Sequence, residues 1–270
     1  MPAQPLQSPI CKWQVLLLAS LSLLLCAAKA SSGSVLGEQT ADELRSLSRE
    51  FESDAIAVWC GHSEAFTLGD TDKRYNVASI RKSLLSALYG VAIQRGLVAA
   101  DMTLQEVGLD DSVHQLTDNE RAATVSDLLK SRSGIYLPAL GESGSMKRRK
   151  PLRGSYKANE HFYYNNWDFN ALGVAFESLS QLSIGEAFSQ WIAKPTGMVD
   201  FRPEDVVYQA STDTIGLPMF RFYMTARDLA RFGALYANNG LWAETQVIPM
   251  QWINDTFTRY SEVPYGIFDG

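Results

Sequence analysis

Ser79 and Lys82 are residues whose types and spacing could do chemistry together. On a helix, positions i and i+3 lie on one face, so a seryl hydroxyl and a lysyl amine at this spacing can touch. A Ser hydroxyl is a poor nucleophile until a neighbouring base takes its proton. A Lys removed from water can be that base, because desolvation disfavours its charged form. The free N–H groups and positive dipole end of a helix N-terminus would favour negative charge developing beside Ser79. Ser-x-x-Lys also arises by chance, and a capping Ser beside a solvated Lys is the simpler reading of those four letters alone. The segment around them favours burial: Leu84, Leu85, Leu88, Val91 and Ile93 spread over most faces of one helix, which runs to a Gly stop at Arg95-Gly96.

A second set of chemical groups lies in Phe162-Tyr163-Tyr164-Asn165-Asn166-Trp167-Asp168. In an extended loop, Tyr164 and Asn166 project to the same side. A phenol there can relay a proton and an amide can hold a substrate carbonyl. An aromatic-rich loop that caps a helix gives the same letters without chemistry. Other catalytic signatures fail. Gly141-Glu142-Ser143-Gly144-Ser145 misses the last Gly of a nucleophile elbow, and His62, His114 and His161 form no triad or zinc spacing. No Gly-rich phosphate loop is present, and no cofactor or metal is expected.

The elements that must position these groups are legible in outline. A Thr40 capping box opens a helix to about Ser53, and Ala55–Cys60 with Ala65–Leu68 read as a hairpin turning at residues 61–64, with Cys60 in a buried strand. Further helices are expected after Thr103 and Thr124, over Asp168–Leu179, from Ser183 to before Pro195, and from Thr225 to Ala237. Residues 141–157 read as a polar loop in which Lys147-Arg148-Arg149-Lys150 is a solvated run or, less simply, a patch for an anionic substrate. The only strand expected after residue 70 is a stub at 263–270. The Asn254-Asp255-Thr256 sequon reads as a chance match.

Composition sets the class. The chain has 270 residues, 46% of them hydrophobic and 20% charged, enough for a packed core and against disorder. Residues 1–30 carry Lys12, an apolar run from Val15 to Ala28 and an Ala28-Lys29-Ala30 cleavage pattern, so a secretory signal peptide is expected, with residues 31–270 as the mature domain. The apolar run is short for a bilayer span, so no membrane span is expected after cleavage, and the product is expected to be exported, periplasmic or secreted. Cleavage would remove Cys11 and Cys26 and leave Cys60 as a lone small hydrophobe. Loss of Lys12 and Lys29 takes the net charge from −6 to −8, which leaves no basic footprint for nucleic acid.

Four segments in order then carry a resemblance over roughly residues 40–270. Ser79-Ile80-Arg81-Lys82 matches S-x-x-K, and Tyr164-Asn165-Asn166 matches Y-x-N with Leu172-Gly173 following. Lys194-Pro195-Thr196-Gly197-Met198 resembles a Pro-Leu-Gly-Met turn, with Thr196 for Leu, and Met224 to Gly233 resembles a T-A-R-D-L-A-R-F-G helix. The chain resembles the serine β-lactamase and penicillin-recognising family, in the branch of class C β-lactamases, esterases, D-peptidases and nylon-oligomer hydrolases. The resemblance implies an α+β fold, an antiparallel sheet flanked by helices plus a mostly helical region. It implies a hydrolase in which Ser79 forms an acyl-enzyme, Lys82 and Tyr164 share acid and base duties, and Asn166 orients the substrate. The oxyanion hole would use the Ser79 N–H and one N–H from a sheet strand. The substrate would be a small ester, amide or peptide, with an ester or amide ranked before a β-lactam by analogy alone. The family's third motif, K-T-G or H-x-G, is missing before Gly270. That implies a C-terminally truncated product whose 270-residue form is expected to be inactive or insoluble. A non-catalytic protein binding cell-wall peptide or a partner on the same scaffold is the alternative.

Overall fold

A computed structural model describes residues 36–262. The signal segment expected at 1–30 and the strand expected at 263–270 lie outside the described residues. The chain divides into two compact units, Met1–Thr71 and Asp72–Gly270.

In the first unit, helix α1 (Glu38–Glu50) precedes strands β1 (Ala55–Cys60) and β2 (Ser63–Gly69). The helix starts at a Gly37 cap with no side-chain capping bond, so the Thr40 box expected from the sequence does not form. The hairpin turn is also tighter than expected: Cys60 pairs with Ser63, leaving Gly61 and His62 as the turn. Gly61 takes the left-handed conformation such a turn needs (φ +61°). The guanidinium of Arg45 lies 5.6 Å from the Phe66 ring, which packs the helix on the hairpin. Two expectations for Cys60 are corrected. Strand β1 is half-buried along its length, and Cys60 is disulfide-bonded.

The second unit is built around helix α2 (Arg81–Gln94), in which Leu84, Leu85, Ala87, Leu88 and Ala92 have no exposed surface. Short helices α3 (Leu104–Val107), α4 (Asp118–Arg121) and α5 (Val125–Leu129) follow, each opened by a Thr whose hydroxyl caps the first turn while an acidic side chain reaches back. The box at Thr117 has the same T-x-x-E signature as the one at Thr103 and is not among the helix starts expected from the sequence. Helix α6 (Gly144–Arg149) lies inside the stretch read as a loop. Helix α7 (Asn166–Ser180) lies beside α2, and the Tyr89 hydroxyl donates to the Leu172 carbonyl at 2.8 Å. Gly90 lets Trp252 approach: a Cβ there would stand 2.4 Å from the indole.

More strand exists after residue 70 than the sequence reading allowed. β3 (Tyr75–Asn76), β4 (Val206–Gln209) and β5 (Met219–Met224) make an antiparallel sheet in the order β3-β5-β4. β5 is central, and Phe222 from it joins Phe188, Phe201 and Phe232 in an aromatic cluster. Helix α8 (Ile184–Phe188) continues into a π turn, Ser189–Ala193, and ends at Gly197 with the Met198 N–H on the Ala193 carbonyl. Thr196, which stands where the family turn has Leu, is buried and donates its hydroxyl to the Ile192 carbonyl at 2.7 Å.

The T-A-R-D segment is a clamp. Thr225 caps helix α9 (Ala226–Ala237), and the buried Asp228 carboxylate accepts backbone N–H bonds from Val199, Asp200 and Phe201. Arg231 lies 3.0 Å away as its ion partner. The Arg227 guanidinium in turn grips Asp200 and holds its carboxyl below the usual range. Small strands β6 (Leu241–Trp242) and β7 (Thr245–Gln246) and helix α10 (Met250–Thr256) complete the unit. Among the described residues no helix is long and apolar enough to cross a membrane. Asp228→Ala strands three N–H groups and a cation, so it is expected to lower unfolding free energy by about 3–5 kcal/mol in urea titration; a change under about 1 kcal/mol would refute the clamp.

Candidate active site

Strand β5 delivers the chain to Ser79. It pairs Asn76 with Tyr223, and the Val77 N–H continues the ladder onto the Phe222 carbonyl at 3.1 Å. The chain then leaves the sheet edge in a 3₁₀ turn, Ala78–Ile80, that runs into α2. Ser79 is therefore on the turn before the α-helix and not at its first residue. Ala78 has φ +47°, an uncommon conformation for a residue with a Cβ, and its N–H is held by the Asn76 side chain at 2.9 Å. The result is an exposed Ser79 above a buried helix.

Lys82 lies one turn below and is 7% exposed. Its Nζ is 3.2 Å from Ser79 Oγ and 3.0 Å from the Tyr164 hydroxyl. The Tyr164 ring is 4.5 Å away and the Phe169 ring 5.5 Å, so apolar faces flank the amine. No carboxylate pairs with it among the described residues. Burial, and then the neighbouring charge of Arg81, lower the Lys82 pKa from 10.5 to about 7. Lys82 is thus poised to exist as a free amine near neutral pH, the state a general base requires.

Tyr164 reaches the site from the N-terminal end of α7. Asn165 caps that helix, its Oδ1 accepting the Trp167 N–H at 3.1 Å, while its Nδ2 donates to Ile135 O and to Asp168. Ser133 also donates to Asp168, at 2.6 Å. Asp168 is wholly buried, and desolvation pushes its carboxyl well above the usual range against the pull of these donors. This network, absent from the sequence reading, fixes the loop that carries Tyr164. Its one local signal was Asn165, a strong N-cap type just before the helical run.

The structure thus brings Ser79, Lys82 and Tyr164 together. It leaves Asn166 buried at 5% exposure with no hydrogen bond on Oδ1, an unspent acceptor. The basic run divides: Lys147 and Arg148 are exposed, whereas Lys150 is paired with Glu142 and donates to the Leu137 carbonyl. A cavity of about 310 Å³ opens beside Tyr164, with Arg132, Arg149, Glu160 and Glu262 on its walls, a mixture that selects neither sign of charge. Among the described residues no cluster of three or more His, Cys, Asp or Glu is placed for a metal.

The second unit thus sets a Ser–Lys–Tyr cluster at the head of a buried helix beside an antiparallel sheet, within an α+β fold. The chain belongs to the beta-lactamase family, whose model matches residues 43–267. A curated relative, an uncharacterised protein of Alkalihalophilus pseudofirmus, is 23% identical over 217 residues, covering 72% of this chain and 57% of its own length. Among solved structures the fold is similar to that of an octameric penicillin-binding protein homologue from Pyrococcus abyssi (TM-score 0.60, 18% identity, 87% of this chain and 63% of that one). It is also similar to a penicillin binding protein from Bacillus halodurans (TM-score 0.58, 15% identity, 82% and 80%). The chain spans less than two thirds of the first two of these relatives.

A buried amine without a carboxylate is destabilising while it is charged. Because its pKa in the folded state lies below its unfolded value, the Lys82 contribution to stability rises with pH from about 7 upward. Lys82→Met is therefore expected to stabilise the fold, by about 1–3 kcal/mol below pH 7, with the gain shrinking toward pH 10. Denaturant titrations at several pH values check this; a gain that grows with pH would contradict the buried-amine reading.

Proposed function

We propose that this protein hydrolyses a small ester or amide through an acyl-enzyme on Ser79. The observation that carries the proposal is the contact of one buried Lys82 Nζ, its pKa lowered to about 7, with both Ser79 Oγ and the Tyr164 hydroxyl. Lys82 takes the Ser79 proton as Oγ bonds to the substrate carbonyl carbon. The carbonyl electron pair moves onto oxygen, where the Ser79 N–H helps to hold it. Tyr164 donates its proton to the leaving group as the scissile bond breaks, and is reprotonated from Lys82. Water then attacks the acyl carbon with the same residues acting in reverse. Asn166 orients the substrate through its unspent acceptor. A β-lactam or D-amino-acid peptide fits the same chemistry, and the site's mixed charge ranks no one of them first. Export is part of the proposal and rests on the residue pattern at 1–30.

Incubation with a chromogenic ester, a cephalosporin and a D-Ala-D-Ala peptide tests the activity. At least one is expected to turn over, with kcat/KM rising to a plateau through an acid limb near pH 7, where Lys82 loses its proton. Lys82→Ala is expected to lower the rate about 10²–10⁴-fold, and Ser79→Ala to abolish it. Binding of these compounds with no turnover would favour a non-catalytic binder. N-terminal sequencing of exported protein is expected to begin at Ser31.

A further inference from the structure

Arg81 stands between the nucleophile and the base in sequence, and its surroundings are unusual for a guanidinium. The residue is 3% exposed. Its Nη2 donates to Asn170 Oδ1 at 2.9 Å, its plane lies over the Phe220 ring at 4.5 Å, and its Nη1 has no partner. No carboxylate lies within ion-pair distance of it among the described residues. Buried guanidinium groups are ordinarily paired with acids, because an uncompensated buried cation is strongly destabilising. The groups packed on it make the imbalance greater. Its own helix supplies Lys82, α7 supplies neutral Asn170, and β5 supplies Phe220 and a second cation, Arg221. The Tyr164 phenol also lies close enough to interact with its charge.

We propose that Arg81 is a positioning residue for the reaction, the fixed positive charge against which Lys82 and Tyr164 hold their shared proton. It disfavours an ammonium at Lys82, so the resting pair keeps a free amine facing Ser79. The same fixed charge favours return of the proton from Lys82 to the leaving group through Tyr164. This inference rests on the proposed roles of Ser79, Lys82 and Tyr164. Electrostatics agree with the geometry: Arg81 lowers the pKa of Lys82, and negative charge at Tyr164 stabilises the charged form of Arg81.

The test follows the carbon-13 shift of Lys82 Cε against pH in the full chain, in parallel with kcat/KM. The signal is assigned by its loss in Lys82→Met. Arg81→Met removes charge and hydrogen bond together, whereas Arg81→Gln removes the charge and keeps a donor for Asn170. Both are expected to move the Lys82 midpoint from near 7 upward by about one pH unit, and the acid limb of kcat/KM with it. Arg81→Lys keeps a cation and is expected to hold the midpoint. A midpoint that stays in place in a folded neutral variant overturns the proposal. Loss of fold in both neutral variants also counts against it, since Arg81 would then be a packing residue first. The NMR readout needs no turnover. A shifted midpoint with no hydrolysis would fault the proposed function alone, and hydrolysis with an unmoved midpoint would fault only the role of Arg81.

Discussion

A single desolvated amine organises the second unit. Lys82 can touch Ser79 and Tyr164 only if three things hold together: α2 is buried on nearly every side, the sheet edge ends one turn above it, and the α7 loop comes down beside it. Each condition has its own physical support. The apolar residues of α2 bury the helix. The β3–β5 pairing and the Val77 bond to Phe222 set where the chain leaves the sheet. Asn165, Asp168 and Ser133 lock the loop before α7 through short buried hydrogen bonds. An amine held this way loses its water without gaining an anion, and the balance of solvation then favours the free base.

The neighbourhood sharpens that effect instead of relieving it. An acid beside Lys82 would restore its charge and remove its basicity. The side chains around it are rings, a hydroxyl, a phenol and a second cation. Stability is sacrificed locally, as it is by the positive φ at Ala78. The T-A-R-D clamp and the aromatic cluster around Phe222 lie elsewhere in the unit and supply conventional stabilisation there.

The sequence showed the Ser79–Lys82 pair directly, because helical spacing is a local property. Tyr164 lies 82 positions from Lys82, so no spacing rule links them; a resemblance had to. The neighbouring asparagines could not be told apart by type: Asn165 caps the helix and anchors Asp168, whereas Asn166 has its oxygen unspent. The middle strands were missed for physical reasons. β3 is two residues long and β4 four, too short for alternation to register, and β5 is an aromatic and Met run with Arg221 at a half-buried position. The helix starts at Thr103, Thr124, Ser183 and Thr225 were legible as a Thr or Ser with an acid three residues on. The reading failed at Thr40, where the pattern was present but the chain entered the helix earlier, at Gly37.

The central claim is that Ser79 is a nucleophile activated by Lys82, and its most direct measurement is covalent. Protein quenched in acid during reaction with a slowly deacylated ester is digested and mapped by mass spectrometry. The expected result is one acyl group per chain on the peptide holding Ser79, formed faster above pH 7 than below it and absent from Ser79→Ala. Acylation elsewhere, or none under conditions of measurable turnover, would contradict the account.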